Sequence, residues 1–408
     1  MELEIQKSWL VQRAVVSLLV LSILFIPSLS KPQTFELEDI ILGHSPVCRG
    51  EVHGSARCHA RVRINTKGSP MVTTSPSGYG PNQFLTAYGL TGIAPSDQII
   101  AIVDAYDHPN IQSDLNTYSD TFGIPRLPAC VGSITDSSVP CFQKVDQNGG
   151  QSYPKVNSGW ALEIALGVEI AHAICQNCKI LLVEAYSNSY SDLMAAVDRA
   201  VLMGATVVSN SYGSSEFSSE TAYDSHFNHP GIAFTFSSGD SGYGTTYPAA
   251  SPYVTAVGGT SLYFSTTSIT ESAWNKAGSG CSTYEPKPSW QKDNLCPRRT
   301  IADVSADANP KTGAAVFDSV PYGGNIGWFV VGGTSLSSPI IAGVYALAGG
   351  VGAGIWGNSL PYLQGSSTNL NDIIGGKNGR CGGIYLCKAV PGYDGPTGLG
   401  TPNGVGGF

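Results

Sequence analysis

The chain has 408 residues, of which only 13% are charged, and it is rich in glycine (49) and proline (25). Disordered chains combine high charge with low apolar content, so this composition excludes disorder and predicts a folded, loop-rich protein. The formal net charge of −8 argues against a nucleic-acid-binding protein, because such proteins need a large basic face.

The first 30 residues have the pattern of an export signal. Lys7 and Arg13 precede an apolar run over 14–26, and the letters PSLS then supply a break and small residues. A run of that length is too short to span a bilayer comfortably. We therefore predict a cleaved signal peptide over 1–30 and a secreted protein with no stable membrane association after cleavage.

Residues 31–78 form an irregular stretch that contains the basic patch ARCHARVRINTK. We interpret it as a short pro-segment or an N-terminal arm. Near Gly78 this irregular pattern ends, and from residue 79 onward the sequence predicts alternating strands and helices.

Ten cysteines follow the predicted signal, and an even count in an exported chain predicts disulfide bonds. They fall into five couples of neighbours along the sequence, so local pairing is the simplest hypothesis. Cys175 and Cys178 form a CxxC pair that could instead bind a metal or act in redox chemistry. Without a second CxxC or a Cys/His cluster, a zinc site is the weaker alternative.

The core is predicted from buried strands that alternate with amphipathic helices. In chain order these are the strand QIIAIVDAY, the helix HPNIQSDLNTYSDTFG, the strand CKILLVEAY, the helix YSDLMAAVDRAVLMGA, and the strands TVVSNSYG, GIAFTFSSGDSG and YVTAVGGTSL. This order predicts an α/β fold with a parallel sheet covered on both faces. Active crevices lie at the carboxyl ends of such strands, which places VDAYD, SNSYG and SSGDSG at one edge.

The sharpest local motif is GGTSLSSPIIAGVYALA, over 332–348. Its glycines permit a tight turn that puts Ser335 at the start of an apolar helix, where free backbone N–H groups favour a developing anion. Ser335 is a candidate nucleophile. The alternative is that Ser335 or Thr334 only caps the helix.

A serine nucleophile needs a base, and the seven histidines lie outside any motif that would supply one. Glu163 is the candidate base, because it lies on the apolar helical stretch GWALEIALGVEIAHAI and a buried acid requires a partner or a function. A half-exposed helix acid is the alternative. Asp240, in SSGDSGYG, could stabilise a transition state or simply form a tight turn.

The C-terminal segment LNDIIGGKNG…VPGYDGPTGLGTP places Asp372 and Asp394 in glycine-rich loops. Loop carboxylates with free carbonyl groups suit Ca²⁺. Aspartates that only form turns are the competing interpretation.

Together these motifs resemble the sedolisin family of serine-carboxyl peptidases, over about residues 79–408. GTSLSSP is similar to its nucleophile motif, SGDSG to its oxyanion loop, and NDI…PGYDGPTGLGTP to its calcium loop. The resemblance implies a subtilisin-like three-layer α/β/α fold with a mostly parallel central sheet, and a monomeric endopeptidase that cleaves polypeptides in acid. It assigns Ser335 as nucleophile, Glu163 as base and Asp240 as oxyanion-site acid. For Ca²⁺ it assigns Asp372 and Asp394 with main-chain oxygens of Ile373, Val390 and Gly392.

The sequence departs from the family pattern at Gly167, where the family has an aspartate four residues after the glutamate. Two acids at that spacing share one helical face and one proton, which lets a carboxylate replace histidine as base. Three interpretations remain. Glu163 acts alone or with Asp104, which ends the first core strand; the enzyme is impaired; or the protein is an inactive pseudopeptidase with a peptide-binding or structural role.

A second departure is the short stretch before residue 79, where sedolisin-like peptidases often carry a long folded pro-domain. We interpret RCHARV as the remnant of a short pro-segment. Maturation by the family's usual autocatalytic route is therefore in question.

Overall fold

The structure is a computed structural model that describes residues 43–48, 50, 54–91 and 97–408. All of these fall in one unit, Gly43–Phe408. The predicted signal peptide and the first part of the predicted arm lie outside the described residues. Within the described part, no helix combines the length and apolar character that a membrane crossing requires.

The centre of the fold is an eight-stranded sheet. Its strands are β1 (Ile99–Ala105), β2 (Phe142–Asp146), β3 (Lys179–Ala185), β4 (Val207–Asn210), β5 (Ala233–Ser237), β6 (Thr255–Phe264), β7 (Ile269–Ala273) and β8 (Val304–Asp307). The order across the sheet is β7-β6-β5-β4-β1-β3-β2, with β8 paired to β6. Every pairing is parallel except β6 with β7, so the mainly parallel sheet is confirmed.

Helices cover this sheet. They are α1 (Pro81–Ala87), α2 (Ile111–Phe122), α3 (Ser158–Ile174), α4 (Tyr190–Leu202), α5 (Thr334–Leu347) and α6 (Leu360–Gln364), with 3₁₀ turns at Ile134–Asp136, Glu220–His226 and Gly357–Ser359. α3 and α5 pack on each other and on the sheet, while α4 packs on β1, β3 and β4. Residues 159–174 are all buried, because an apolar helix held between the sheet and another helix has no solvent face.

A second sheet joins the described part of the predicted arm to the strand that leads into α5. Its five strands are His44–Pro46, Arg61–Arg63, Val72–Thr73, Ala314–Tyr322 and Asn325–Gly332. The remaining strands are Arg57–Cys58, Tyr212–Ser215 and Thr246–Tyr247 in one small sheet, with Gly280–Cys281 paired to Thr300–Ile301 and Leu370–Asn371 paired to Thr401–Pro402.

The prediction of local disulfide pairing is confirmed. The five bonds are Cys48–Cys58, Cys130–Cys141, Cys175–Cys178, Cys281–Cys296 and Cys381–Cys387. The CxxC pair is thus a disulfide, which leaves its sulfurs no role as metal ligands in this state.

Candidate active site

Ser335 lies in the first turn of α5. The N-cap residue is Gly333, whose φ of 93° is a conformation that favours glycine. The Ser335 hydroxyl is fully buried and donates a hydrogen bond to Oε2 of Glu163 at 2.9 Å. It is also 3.2 Å from the carbonyl oxygen of Ser211, the residue after β4. A serine hydroxyl bonded to a carboxylate is an arrangement in which the carboxylate can take its proton.

Glu163 reaches Ser335 from α3, and the whole residue is buried. Its Oε2 atom also accepts a hydrogen bond from the backbone N–H of Ala60 at 2.9 Å. Burial raises the pKa of this carboxyl well above its ordinary value, and the neighbouring charge of Asp104 raises it further. Its Oε1 atom has no hydrogen-bond partner among the described residues.

Asp104, at the end of β1, lies beside Gly167. A Cβ atom built on Gly167 would be 3.9 Å from Oδ2 of Asp104 and 3.0 Å from Cγ2 of Ile102. The Asp104 side chain is 1% exposed, and burial raises its pKa well above the ordinary value. A strand thus brings a second carboxyl to the position next to Glu163 that the helix itself leaves without one.

Asp240 follows β5 and faces the start of α5. Its Oδ1 atom accepts hydrogen bonds from the backbone N–H of Thr334 at 2.8 Å and from the Thr334 hydroxyl at 2.9 Å. Burial raises its pKa to about 6 despite these bonds. Its Oδ2 atom has no partner within the part of the chain that the structure describes. The carboxyl is therefore held by one oxygen while the other is available to a reacting group.

The structure thus brings together Ser335, Glu163, Asp240 and Asp104, the four residues singled out from the sequence. It also brings in a segment that sequence reasoning left out. His59 was placed in the arm with no role, yet it is buried beside the site, with Nδ1 2.7 Å from Oγ of Ser237. Burial lowers its pKa to about 3, so the ring is neutral. The only sequence signal was the basic patch around it.

The predicted calcium loop brings both of its carboxylates to residues 390–392. Oδ2 of Asp372 accepts the N–H of Gly392 at 2.8 Å, and Oδ2 of Asp394 accepts the N–H of Val390 at 3.0 Å. Among the hydrogen bonds of the described residues, none ends on the carbonyl oxygens of Ile373, Val390 or Gly392. Asp394 is fully buried, and burial together with the charge of Asp372 raises its pKa to about 7. Two carboxylates and free carbonyl groups are the donors that Ca²⁺ takes.

A further buried group consists of His108, Asp114 and Asp318. One ligand atom from each lies within 4.8 Å of the others, a spacing that a metal ion could use. The two carboxylates already accept backbone N–H groups of Ser319 and Val320. Sequence reasoning placed His108 in a loop without a motif and did not find this group.

The sequence model of the subtilase family matches residues 153–365. Kumamolisin from Bacillus sp. (strain MN-32) is 29% identical over 398 residues, which covers 86% of this chain and 67% of that protein. Sedolisin from Pseudomonas sp. (strain 101) is 27% identical, with 86% and 66% covered. The chain thus spans about two thirds of the length of these relatives.

Among solved structures, Pseudomonas sedolisin, a serine-carboxyl proteinase complexed with two molecules of pseudo-iodotyrostatin, superposes with a TM-score of 0.67 and 25% identity. The match covers 81% of this chain and 96% of that one. The chain therefore belongs to the subtilase family, and its similarity to kumamolisin and sedolisin fits the sedolisin family of serine-carboxyl peptidases within it.

Proposed function

We propose that this protein is an exported serine-carboxyl endopeptidase that hydrolyses polypeptide chains in acid. The observation that carries the proposal is the 2.9 Å hydrogen bond from Ser335 Oγ to Glu163 Oε2, in a buried site that also contains Asp240. A nucleophile within reach of a base, with an acid beside the forming oxyanion, is the minimum set for acyl transfer.

In the first step, Ser335 Oγ attacks the carbonyl carbon of the substrate while Glu163 takes the hydroxyl proton. The carbonyl oxygen becomes negative and is stabilised by a proton that Asp240 donates from Oδ2. The two bonds from Thr334 to Oδ1 hold the carboxyl in that orientation. Glu163 then gives its proton to the leaving nitrogen, and water releases the acyl group from Ser335 by the same steps in reverse.

Asp104 supplies the second acid that Gly167 lacks. Two buried carboxyls close together do not both ionise easily, so the pair holds one proton in common. That leaves one negative charge to share, and Glu163 can act as base while Asp104 keeps the proton. The proximity of the two positions supports this role, since a Cβ atom on Gly167 would lie 3.9 Å from Oδ2 of Asp104. Asp104 is thus a positioning residue that acts through Glu163.

A calcium ion is part of this proposal. Asp372 and Asp394, with the carbonyl groups of Ile373, Val390 and Gly392, would hold it in the C-terminal loops. The ion would neutralise the two carboxylates and add a link between residues 372–373 and residues 390–394. No catalytic step passes through it.

The test is hydrolysis of casein or an extended peptide at pH 3–6 by the purified protein and by the Ser335→Ala variant. We expect at least a thousandfold lower rate for the variant, because it has no nucleophile. Equal rates in the two proteins would exclude the peptidase function. Recovery of the protein from the culture medium, with an N-terminus after residue 30, tests export.

A further inference from the structure

A cavity of about 490 Å³ lies in the C-terminal third of the chain. The side chains that line it are mainly aromatic or polar, and they include Trp290, Lys292, Asn294, Tyr362, Tyr385 and Tyr393. None of the four candidate catalytic residues lines this cavity. Its volume falls within the range of about 300–1,000 Å³ found for small-ligand sites, which are usually lined by aromatic side chains with a few polar groups.

Half-buried aromatic rings form one wall of the cavity. The ring centroid of Tyr393 lies 6.2 Å from that of Tyr362 and 6.1 Å from that of Tyr385. The ring of Trp290 stacks on Trp356, with centroids 6.1 Å apart and 28° between the planes. An aromatic face carries negative partial charge, which attracts the positive edge of a C–H group. Because a pyranose ring presents C–H groups on its faces, this wall suits a carbohydrate.

The tyrosine rings are fixed by hydrogen bonds behind the wall. The three hydroxyls donate from Tyr362 to Asp303 Oδ1 at 2.7 Å, from Tyr393 to the carbonyl oxygen of Ala302 at 3.0 Å, and from Tyr385 to Asp293 Oδ2 at 2.7 Å. Each ring is therefore held at its polar end. A ligand that stacks on these rings loses little side-chain entropy, because the rings do not have to be ordered on binding.

A buried polar network holds the hydroxyls in turn. Gln291 is 3% exposed, and its Nε2 atom donates to the hydroxyls of Tyr362 at 3.1 Å and Tyr393 at 3.4 Å. Asp303 forms an ion pair with Arg299, and both side chains are 0% exposed. A buried ion pair contributes little net stability, because desolvation offsets the attraction. Its place behind the rings instead supports their orientation, as a second shell does in a binding site.

The polar rim of the cavity carries one positive charge without a partner. Asp293, which also lines the cavity, is already neutralised, because its Oδ1 atom lies 2.8 Å from Nζ of Lys287. Within the described part of the chain, Lys292 forms no ion pair and the Asn294 side chain forms no hydrogen bond. A ligand carboxylate complements the ammonium group of Lys292, and sugar hydroxyls complement the amide of Asn294.

From this geometry we propose that the cavity binds an anionic oligosaccharide of the uronic acid type. Its pyranose rings stack on the wall formed by Trp290 and the three tyrosines, and one carboxylate pairs with Lys292. The site is separate from the candidate active site, so the proposal does not rest on the peptidase function. An exported protein with this site would be held on acidic polysaccharide.

A proline-rich peptide is the competing ligand, since such peptides also bind to aromatic-lined grooves. A peptide in that extended conformation makes no internal hydrogen bonds, so its carbonyl groups need donors from the site. In this cavity the tyrosine hydroxyls donate to oxygens of the protein itself. The observations therefore favour a ligand that pairs through ring faces and a carboxylate.

The experiment is isothermal titration calorimetry of a galacturonate hexamer into the full chain at pH ~5.5. The Ser335→Ala variant is used, so that peptide ligands compared in the same assay stay intact. We expect one site with a Kd below ~1 mM. Lys292→Glu should raise this Kd at least about tenfold, because a charge-assisted bond is replaced by repulsion. Lys292 is exposed, and a melting curve verifies that the variant is folded.

Lys67→Glu is the matched control, because it makes the same charge change at an exposed lysine that does not line the cavity. It should leave the Kd within about twofold. A neutral glucose hexamer with β-1,4 links tests the stacking wall separately. Trp290→Ala should weaken the binding of both saccharides, whereas Lys292→Glu should weaken only that of the anionic one.

Three results would overturn the inference. The first is no binding of the galacturonate hexamer at millimolar concentration. The second is an equal Kd in Lys292→Glu and Lys67→Glu. The third is tighter binding of a peptide of alternating glutamate and proline, which would identify a polypeptide as the ligand. The peptidase function is judged independently, by the loss of casein hydrolysis in Ser335→Ala.

Discussion

Helix α3 carries two buried glutamates, Glu163 and Glu169, and they differ in what they touch. Both side chains are fully buried, and burial raises the pKa of each well above the ordinary value. At about 100° per residue, a spacing of six places them on different faces of the helix. Glu163 accepts a hydrogen bond from the hydroxyl of Ser335, whereas Glu169 accepts one from the backbone N–H of Phe317 at 3.0 Å.

A raised pKa therefore does not by itself identify a catalytic acid. Desolvation acts on both carboxyls alike. What separates them is the partner, since one oxygen of Glu163 meets a nucleophile while Glu169 fastens α3 to the strand Ala314–Tyr322. The electrostatic neighbours of Glu169 are Asp114 and Asp318, which belong to the His108 group and lie away from Ser335.

Exchanging each glutamate for its amide should separate the two most strongly. Glu163→Gln should lower kcat/KM for a peptide at pH 4 by about 10²–10⁴, because general acid–base catalysis is lost. Glu169→Gln should stay within about threefold of wild type, since a neutral amide still accepts the N–H of Phe317. Comparable losses in both variants would contradict the distinction. Melting temperatures measured in parallel show that both proteins are folded.

A variant of Asp104 tests whether catalysis by Glu163 depends on this second carboxyl from β1. Asp104→Asn should lower kcat about 10–100-fold and change the acid limb of the pH profile, because the proton of the pair is no longer shared. Gly167→Asp in that background should recover part of the loss, since it returns a carboxyl to the same face of α3.

The matched control for that test is Asp114→Asn, on the Glu169 side, which should leave the pH profile of kcat unchanged. An unaltered profile in Asp104→Asn would remove Asp104 from the mechanism. Failure of the double variant, with Asp104→Asn impaired, would show that a carboxyl at position 167 cannot replace one on β1.

The helices and strands of the core could be predicted because a local sequence pattern determines each of them. The apolar runs over β1 and β3, and the motif at the start of α5, each occupy one continuous stretch of sequence. Disulfide pairing followed for the same reason, since each couple is joined by a short loop. The approach of Asp104 to Glu163 could be posed as a hypothesis because strand ends converge at one edge of a parallel sheet.

The parts that sequence reasoning missed depend on distant partners. The strand Arg57–Cys58 is identified only by its pairing with Tyr212–Ser215, and two residues carry no periodic signal. His108 and Asp318 lie on segments far apart in the chain and meet only because Ala314–Tyr322 packs beside α2. No local sequence pattern encodes such a contact, so nothing near His108 in the sequence indicates that this histidine is buried.

The role of Asp240 can be tested through the pH dependence of the reaction. The pKa of Asp240 is raised to about 6, so its proton is lost as the pH rises through that value, and with it the donor to the oxyanion. We expect kcat/KM to fall about tenfold per pH unit above pH ~6. Asp240→Asn, whose amide keeps a donor, should be slower but lose this limb. A profile that is flat up to pH 8 in the wild type would contradict the role.

Calcium gives the smallest effect and tests the two candidate ion sites against each other. Saturating Ca²⁺ should raise the melting temperature by ~5 °C, because an ion bound only by the folded state stabilises it by about 3 kcal/mol at a hundredfold excess over Kd. Asp394→Asn should abolish the increase, as one of the two carboxylates is lost from the loop. Asp114→Asn should keep it, because Asp114 belongs to the separate His108 group and supplies no oxygen to the C-terminal loop. If the increase survives in Asp394→Asn and disappears in Asp114→Asn, the ion binds on the Glu169 side of the molecule, and the assignment of the calcium loop is wrong.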